Sequence, residues 1–495
     1  MALNPYQLTR AGCAACLLGL LTLPATAELL QPGDLRLRHD IQMLADAGII
    51  DAPITGWPLF LAGIDVSGAP IETLDPASAG ALQRIFPSRE PHTQPRLDFG
   101  IGGISEPERL RGYQNVPRES GEVSARLAWE SDRYAGDLKA TYVSDPIDGK
   151  EWRADGSYLG VALGNWFLAA SATDRWWGPG WDGSMILSNN ARPMPAITLQ
   201  RREARPPGVR WLRWVGPWTT QVIFGQMEHN RHIPDTRFFG WRVGFKPLPN
   251  LEIGLSRTAQ WCGEGRPCDF STFIDLLSGI RDNPDPSEEQ SDEPGNQLGG
   301  FDLRYSFAGL GRQWAIYTQW IGEDEQNGLP SGHLAQIGLE TSNAWGEDGA
   351  SYRVHAEYNE PTCSAITDSD PNFGCAYNHH IYEDGYRYRG RVVGHSADGD
   401  SVVVSLGGLL FTTQGHTWQL LARRAEINRS NDARHSLSPV QQDIFTLELS
   451  HTRVFLAGDL TLGLGTEYGE VTATGEDIDE TRAFVQWIWK LGGSN

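Results

Sequence analysis

One alternation governs most of this chain. From Arg96 onward, apolar and polar residues change places at every second position. Val123, Ala125, Leu127 and Trp129 alternate with Glu122, Ser124, Arg126 and Glu130, and Phe239, Trp241, Val243 and Phe245 with Gly240, Arg242, Gly244 and Lys246. Phe301, Leu303, Tyr305 and Phe307 alternate with Asp302, Arg304 and Ser306, and Tyr352, Val354, Ala356 and Tyr358 with Arg353, His355, Glu357 and Asn359. Leu97, Phe99 and Ile101 around Asp98 open the series, and Leu456 to Thr466 continues it with Leu460, Leu462 and Leu464. It closes with Ala483, Val485, Trp487, Trp489 and Leu491 against Arg482, Gln486 and Lys490. Successive side chains of a strand point to opposite faces of a sheet, so each stretch has one apolar and one charged face. No helical core interrupts the pattern, and the apolar faces collect Trp, Tyr and Phe together. A transmembrane barrel, with lipid outside and a charged lumen, accounts for this better than a soluble sandwich or propeller. Roughly sixteen to eighteen strands fit the length. One departure from the usual barrel is the Gly-Gly-Ser-Asn that follows Leu491, where an aromatic end residue is common.

The first residues read as an export leader, residues 1–27. Arg10 supplies a positive charge, Ala11 to Leu23 an apolar core, and Pro24-Ala25-Thr26-Ala27 a small-residue cleavage site, so the mature chain is expected to start at Glu28. The apolar run is shorter than the roughly 20 residues of a spanning helix. A lipoprotein would use Cys16, but Cys13 stands where a leucine is expected. Residues 28–95 follow a different period. Leu35, Leu37, Ile41 and Leu44 recur at helical spacing, with Gly48 as a stop. A turn from Asp51 to Pro58 leads to a second stretch at Leu59 to Ile64, and a third, Ser78 to Phe86, ends at Pro87. This predicts a small helical bundle on the periplasmic side. A linker carrying Pro87, Pro91 and Pro95 joins it to a barrel over residues 96–495.

Composition narrows the function. With 40% hydrophobic residues and a mean hydropathy of −0.37, the chain is too polar for a helical membrane protein, whereas barrel strands escape such averages. The net charge of −21 argues against nucleic acid as a partner. The 56 glycines suit turns and close strand approach, and the 18 tryptophans suit boundaries between apolar and wet regions. Cys262 and Cys268 bracket a short Gly-rich loop, and Cys363 and Cys375 a longer polar one. Two local disulfides are the simple reading in an exported protein, with pairing across the groups as the alternative; zinc is disfavoured because the pairs lack C-x-x-C spacing. Phe270 to Ile280 reads as a short amphipathic helix. The acidic, proline-rich Arg281 to Gln297 reads as a solvated external loop, or else as a cation site shared with a polymer.

No G-x-S-x-G, H-E-x-x-H or phosphate-binding loop is present, and nothing marks a glycosidase pair among the many carboxylates, so neither an enzyme nor a cofactor is expected. Two segments carry binding chemistry. The first, Asp174 to Arg202, reads DRWWGPGWDGSMILSNNARPMPAITLQRR. Trp176, Trp177 and Trp181 surround Gly178-Pro179-Gly180, and Asn189, Asn190 and Arg192 follow in a polar turn. Aromatic faces, amides and a guanidinium can grip a sugar chain; they can equally pack a turn or rim of a barrel. The second, Asn378 to Ser401, reads NHHIYEDGYRYRGRVVGHSADGDS. His379, His380 and His395 are too scattered to predict a metal site. In an extended segment Arg387, Arg389 and Arg391 would share one face and Tyr386 and Tyr388 the other, giving guanidiniums for carboxylated sugars or for salt bridges to lumen acids.

Three regions together resemble the capsule-assembly outer-membrane family of Wzi-type surface lectins. They are LRLRHDIQMLADAGIID (Leu35 to Asp51) with Trp57-Pro58-Leu59, then DRWWGPGW with LSNNARPMPAI, then HHIYEDGYRYRGR with Gly394. The resemblance implies an all-β transmembrane barrel of about 18 antiparallel strands with a small N-terminal helical bundle. It implies a bacterial outer-membrane location and a non-enzymatic lectin that attaches capsular polysaccharide or exopolysaccharide to the cell. The expected partners are that polymer and outer-membrane lipid, with the protein itself a monomer. A porin or channel for oligosaccharides or small solutes is the competing expectation.

Overall fold

The alternation resolves into strands that close on themselves. The computed structural model describes residues 29–64, 74–86, 95–278, 295–326, 329–365 and 372–491. Eighteen antiparallel strands run from Arg96–Ile104 to Glu476–Leu491, and these two pair with each other from Leu97 opposite Leu491 to Ile104 opposite Phe484. One strand is broken, with Trp152–Arg153 and Ser157–Leu163 pairing in succession along Tyr134–Ser144. Register carries each face across neighbouring strands: Leu255, Phe301 and Trp320 stand side by side facing out, and Gly254, Asp302 and Gln319 stand side by side facing in.

The burial pattern is inverted relative to a water-soluble protein. Leu97, Phe99 and Ile101 are 38–57% exposed, while Asp98 between them is 2% exposed. An apolar outer band is stable only against lipid, and a closed barrel leaves no backbone edge unpaired there. Among the described residues no helix is long and apolar enough to cross a membrane. The crossing is made by strands.

Two turns fall within runs of alternating residues. Tyr158 to Ala172 is a hairpin of Ser157–Leu163 and Trp166–Ala172, turning at Gly164 with φ 61°. Leu456 does not begin a strand; with Ala457 it forms a turn at φ 47° and 58°, and the strand is Gly458–Val471. Alternation does not mark where the chain turns, because a tight turn can keep the apolar residues in phase.

The two ends of the barrel differ. At one end the connections are short, as at 249–250, 310–311, 346–349 and 456–457, with 202–217 as an exception. At the other they include 105–120, 173–195, 262–294, 361–401 and 428–441. Outer-membrane barrels turn short connections to the periplasm and long loops to the outside.

Residues ahead of the barrel enter the lumen from the turn end. Helix Leu35–Asp46 starts where the Asp34 carboxylate accepts the Leu37 N–H at 3.0 Å and stops before Gly48 at φ 72°. Helix Pro76–Ile85 is capped by Asp75, with Pro76 in its first turn. Ile41, Leu44, Ala77, Ala81 and Ile85 share one core, and Arg84 binds Asp40 at 2.7 Å. Between the helices, Leu59–Phe60 pairs with Leu29–Leu30 and leads into a 3-10 turn at Leu61–Gly63. The bundle is therefore two helices and a small two-stranded sheet, seated among inward-facing strand residues: Asp46 binds Arg304 at 2.6 Å, and Gln42 donates to Glu340 at 2.8 Å. The leader, Pro87, Pro91, Arg281 to Pro294 and the last four residues lie outside the described residues.

The amphipathic stretch forms helix Phe270–Ser278 on the outer wall near the loop end, where Phe273 packs against Phe224, Phe239 and Trp261. Both disulfides are local, Cys262–Cys268 and Cys363–Cys375, and both lie in loop-end connections.

Candidate functional site

The segment after strand Trp166–Ala172 does not leave the barrel. It dives into the lumen, where Trp176–Trp177 pairs antiparallel with Gly56–Trp57, so a loop from one end meets the N-terminal segment from the other. The Gly178-Pro179-Gly180 turn tolerates nothing larger at its last position, because a Cβ on Gly180 would overlap the carbonyl oxygen of Gly183. Arg38 from the first helix clamps this turn. Its guanidinium donates to the carbonyls of Pro179 and Gly180 at 2.8 Å each and lies 4.2 Å from the Trp181 ring centre and 4.3 Å from that of Tyr113.

The three tryptophans are buried, and each indole N–H has a partner. Trp176 donates to the Gly180 carbonyl at 3.0 Å, Trp177 to Gln221 Oε1 at 3.1 Å and Trp181 to Glu340 Oε2 at 2.6 Å. Wall carboxylates hold the backbone beside them. Glu357 accepts from the N–H groups of Trp181, Asp182 and Gly183 and from the Tyr317 hydroxyl. Asp182 pairs with Arg423 at 2.8 Å, and Glu340 also binds Arg304 and Arg353 at 2.6 Å. Burial alone would raise the Asp182 carboxyl, but Arg423 overcomes this and holds it below the usual range. These tryptophans face the protein's own lumen and not solvent.

The amide-rich turn ties loops together. Asn189 donates to the Tyr113 carbonyl at 2.8 Å and Asn190 to that of Val392 at 2.9 Å, and both are buried. Arg118 donates to the carbonyls of Asn189 and Asn190 at 2.6 Å each. Arg192 binds Asp155 at 2.7 and 2.9 Å and also Asp148.

The second segment is not extended. Arg387–Tyr388 pairs with Arg391–Val392 across a turn at Arg389 and Gly390, whose φ angles are 51° and 79°. Such a turn needs two left-handed residues, which the glycine makes accessible, and it breaks the single arginine face expected from an extended chain. Tyr386 is buried, its hydroxyl bonded to the Ile186 carbonyl and Thr258 Oγ1 at 2.9 Å. Arg387 binds Asp398 at 2.6 Å. Arg391 reaches the Glu108 carbonyl at 2.9 Å and Asn190 Oδ1 at 3.2 Å. Arg389, at the hairpin tip, lies 3.7 Å from Asp148, and its side chain is 22% exposed.

The loop end thus gathers Arg118, Arg192, Arg389 and Arg391, with Arg111 beneath them. Burial lowers Arg118 and Arg391 to about 10, and like charge adds to it: Arg111 acts on Arg118, and Arg118 on Arg391. Asp148, Asp155, Asp174 and Glu108 offset part of this charge. The arrangement can present guanidinium edges to a carboxylate or hydroxyl of a bound chain. Sequence reasoning found the two segments but missed their holders. Glu357 was visible as one polar position of an alternating strand, and Arg38 only as part of the Leu35 to Asp51 motif; their role as clamps, like that of Arg118, was hidden because what they hold lies far away along the chain.

The family described as capsule assembly protein Wzi matches residues 93–484 of this chain. An uncharacterized 55.8 kDa protein in the cps region of Klebsiella pneumoniae is 32% identical over 370 residues, covering 71% of this chain and 69% of its own. The solved structure of Wzi from Escherichia coli, described as a carbohydrate-binding β-barrel of the outer membrane involved in group 1 capsule assembly, is 26% identical. It aligns over 95% of this chain and 100% of that one, with a TM-score of 0.80.

Proposed function

The chain belongs to the Wzi capsule-assembly family, and on that premise we propose that it is an outer-membrane lectin that attaches capsular polysaccharide or exopolysaccharide to the cell surface without catalysing a reaction. The observation that carries this reading is the filled lumen. Trp176–Trp177 from the loop end and Gly56–Trp57 from the turn end meet inside the barrel, and Arg38 locks them together. A porin needs an open path, so the channel expectation loses its support.

In this reading polymer binds outside the lumen, on the loop rim, where Arg389, Arg192 and Arg391 offer guanidinium edges. Trp176, Trp177, Trp181, Asn189, Asn190, Tyr386 and Arg387 act beneath them, holding the loops in place. Residues 1–27 serve as the export leader, residues 28–95 form the periplasmic side, and the protein works as a monomer in outer-membrane lipid.

Two measurements test this. Purified protein in detergent is titrated with the host's own capsule, and a strain lacking the protein is examined for polymer. Saturable binding, with polymer made but shed into the medium by the deletion strain, is expected. Full surface retention in that strain would overturn attachment, and a large, steady conductance in planar bilayers would restore the channel.

A further inference from the structure

The connections at the turn end are short apart from the one between strands Ala196–Arg201 and Trp218–Gln226. It carries Arg205-Pro206-Pro207-Gly208-Val209 and then a 3-10 helix, Arg210–Val215, of sequence Arg-Trp-Leu-Arg-Trp-Val. Trp211 is 73% exposed and Trp214 63%, and Val209 is also exposed. A 3-10 helix has three residues per turn, so Arg210 and Arg213 form one line along it and Trp211 and Trp214 the next.

This connector does not hang free below the barrel. The Trp214 ring meets Phe245 edge-on at 6.3 Å between centres, and Lys246 N–H donates to the Pro217 carbonyl at 3.0 Å. Phe245 shares the outward face of its strand with Trp241 and Val243, while Arg242 on the opposite face is buried in the lumen. The 3-10 helix therefore lies against the lipid-facing wall at its periplasmic edge. Tryptophan at such a level places an apolar ring toward the acyl chains and an N–H toward the headgroups. Arg210 and Arg213 have no ion-pair partner among the described residues, whereas the lumen arginines 242, 304, 353 and 423 are all paired with carboxylates. In a chain of net charge −21, two exposed and unpaired guanidiniums beside exposed indoles select an anion at the membrane surface.

We propose that Arg210–Val215 is a lipid anchor, with Trp211 and Trp214 seated in the headgroup layer of the periplasmic leaflet and Arg210 and Arg213 binding the phosphates of anionic phospholipid. The anchor sets the depth and tilt of this side of the barrel. It depends on the barrel spanning a membrane and is independent of what the loop rim binds.

The test uses the full-length protein in nanodiscs of phosphatidylcholine with phosphatidylglycerol, followed by native mass spectrometry of the lipids retained after mild detergent release. The wild type is expected to retain phosphatidylglycerol in excess over phosphatidylcholine. R210Q/R213Q should lower that excess by about thirty-fold, the combined effect of two basic side chains near a membrane surface. W211A/W214A should lose part of the tryptophan quenching given by phospholipid brominated near the headgroup. Heat-modifiable gel migration confirms that each variant barrel is folded, and W211F/W214F serves as a milder version. An unchanged phosphatidylglycerol excess in folded R210Q/R213Q would overturn the proposal. Loss of a co-purifying periplasmic protein with lipid retention unchanged would also overturn it, in favour of a protein partner.

Discussion

Trp181 and Trp211 are the same residue in opposite settings. Trp181 is 3% exposed, its N–H bound to Glu340 and its ring stacked near His355 and two guanidiniums; Trp211 is 73% exposed on the outer wall. In a soluble protein the first would read as core and the second as misplaced. In a barrel each suits its surroundings, because the lumen is polar and filled by the protein itself while the outside is lipid. The tryptophans that form the most conspicuous sequence motif are buried, at 0–3% exposed.

Breaking the buried side of this contrast should have the largest effect. Trp181→Ala removes a packed indole and one of the two donors to Glu340 Oε2, leaving Arg353 as the other, and is expected to cost about 4 kcal/mol, read as earlier loss of the heat-resistant folded band. Asp182→Asn leaves Arg423 with Glu448 as its remaining ion-pair partner and should cost about 2 kcal/mol in the same assay, with little change in surface charge. If neither variant is destabilised, the lumen segment is not the clamp its contacts indicate.

Acid should sharpen the contrast next. His395, in the 361–401 connection, packs against the lumen segment at Gly183, with its N–H and ring buried; burial pushes it down to about 4, with Asp182 opposing and Arg423 assisting. Its folded value is below the unfolded value, near 6.5, so the unfolded chain takes up the proton first. The stability is complete above about pH 6.5 and declines as pH falls toward 4. Between pH 7 and 5 His395 should contribute about 2 kcal/mol of the loss in thermal melts, beside that of the buried His39, and His395→Gln should remove that part. Asp182, held low, adds its loss only at still lower pH.

Smaller effects belong to the exposed positions. Arg389→Gln at the hairpin tip should weaken polymer binding about ten-fold with the melting temperature unchanged, the loss expected for one charge-assisted hydrogen bond; equal affinity would remove Arg389 from the binding rim. Trp211→Ala should alter the stability of the detergent-solubilised barrel by less than about 1 kcal/mol. A loss as large as that of Trp181→Ala would erase the distinction between the two settings.

Much of the fold was legible because strand alternation is a local property. Asp98 between Phe99 and Leu97, or Arg242 between Trp241 and Val243, reveals a two-faced strand without knowledge of its neighbours. The paired cysteines were legible for the same reason, being close along the chain. The turn at Leu456–Ala457 was not, since its residues keep the apolar phase, and the Arg389–Gly390 turn was hidden inside what read as one extended arginine face. The candidate site was only half legible. Its two segments stood out by composition, but whether Trp176 met sugar, lipid or protein depended on Trp57, Arg38 and Gly180 meeting it in one lumen.

The sequence by itself determined that strands with one apolar and one charged face would dominate, and that two segments would be rich in aromatic rings, amides and guanidiniums. Tertiary structure alone decided that the barrel is filled from both ends, that Trp181 looks inward at Glu340 while Trp211 looks outward, and that Arg389 stays at the rim while Arg387 is spent on Asp398. The physical reason is distance along the chain. Side-chain direction within a strand follows from neighbours one and two residues away, whereas a partner for a buried polar group is supplied by whatever segment closure of the barrel brings beside it.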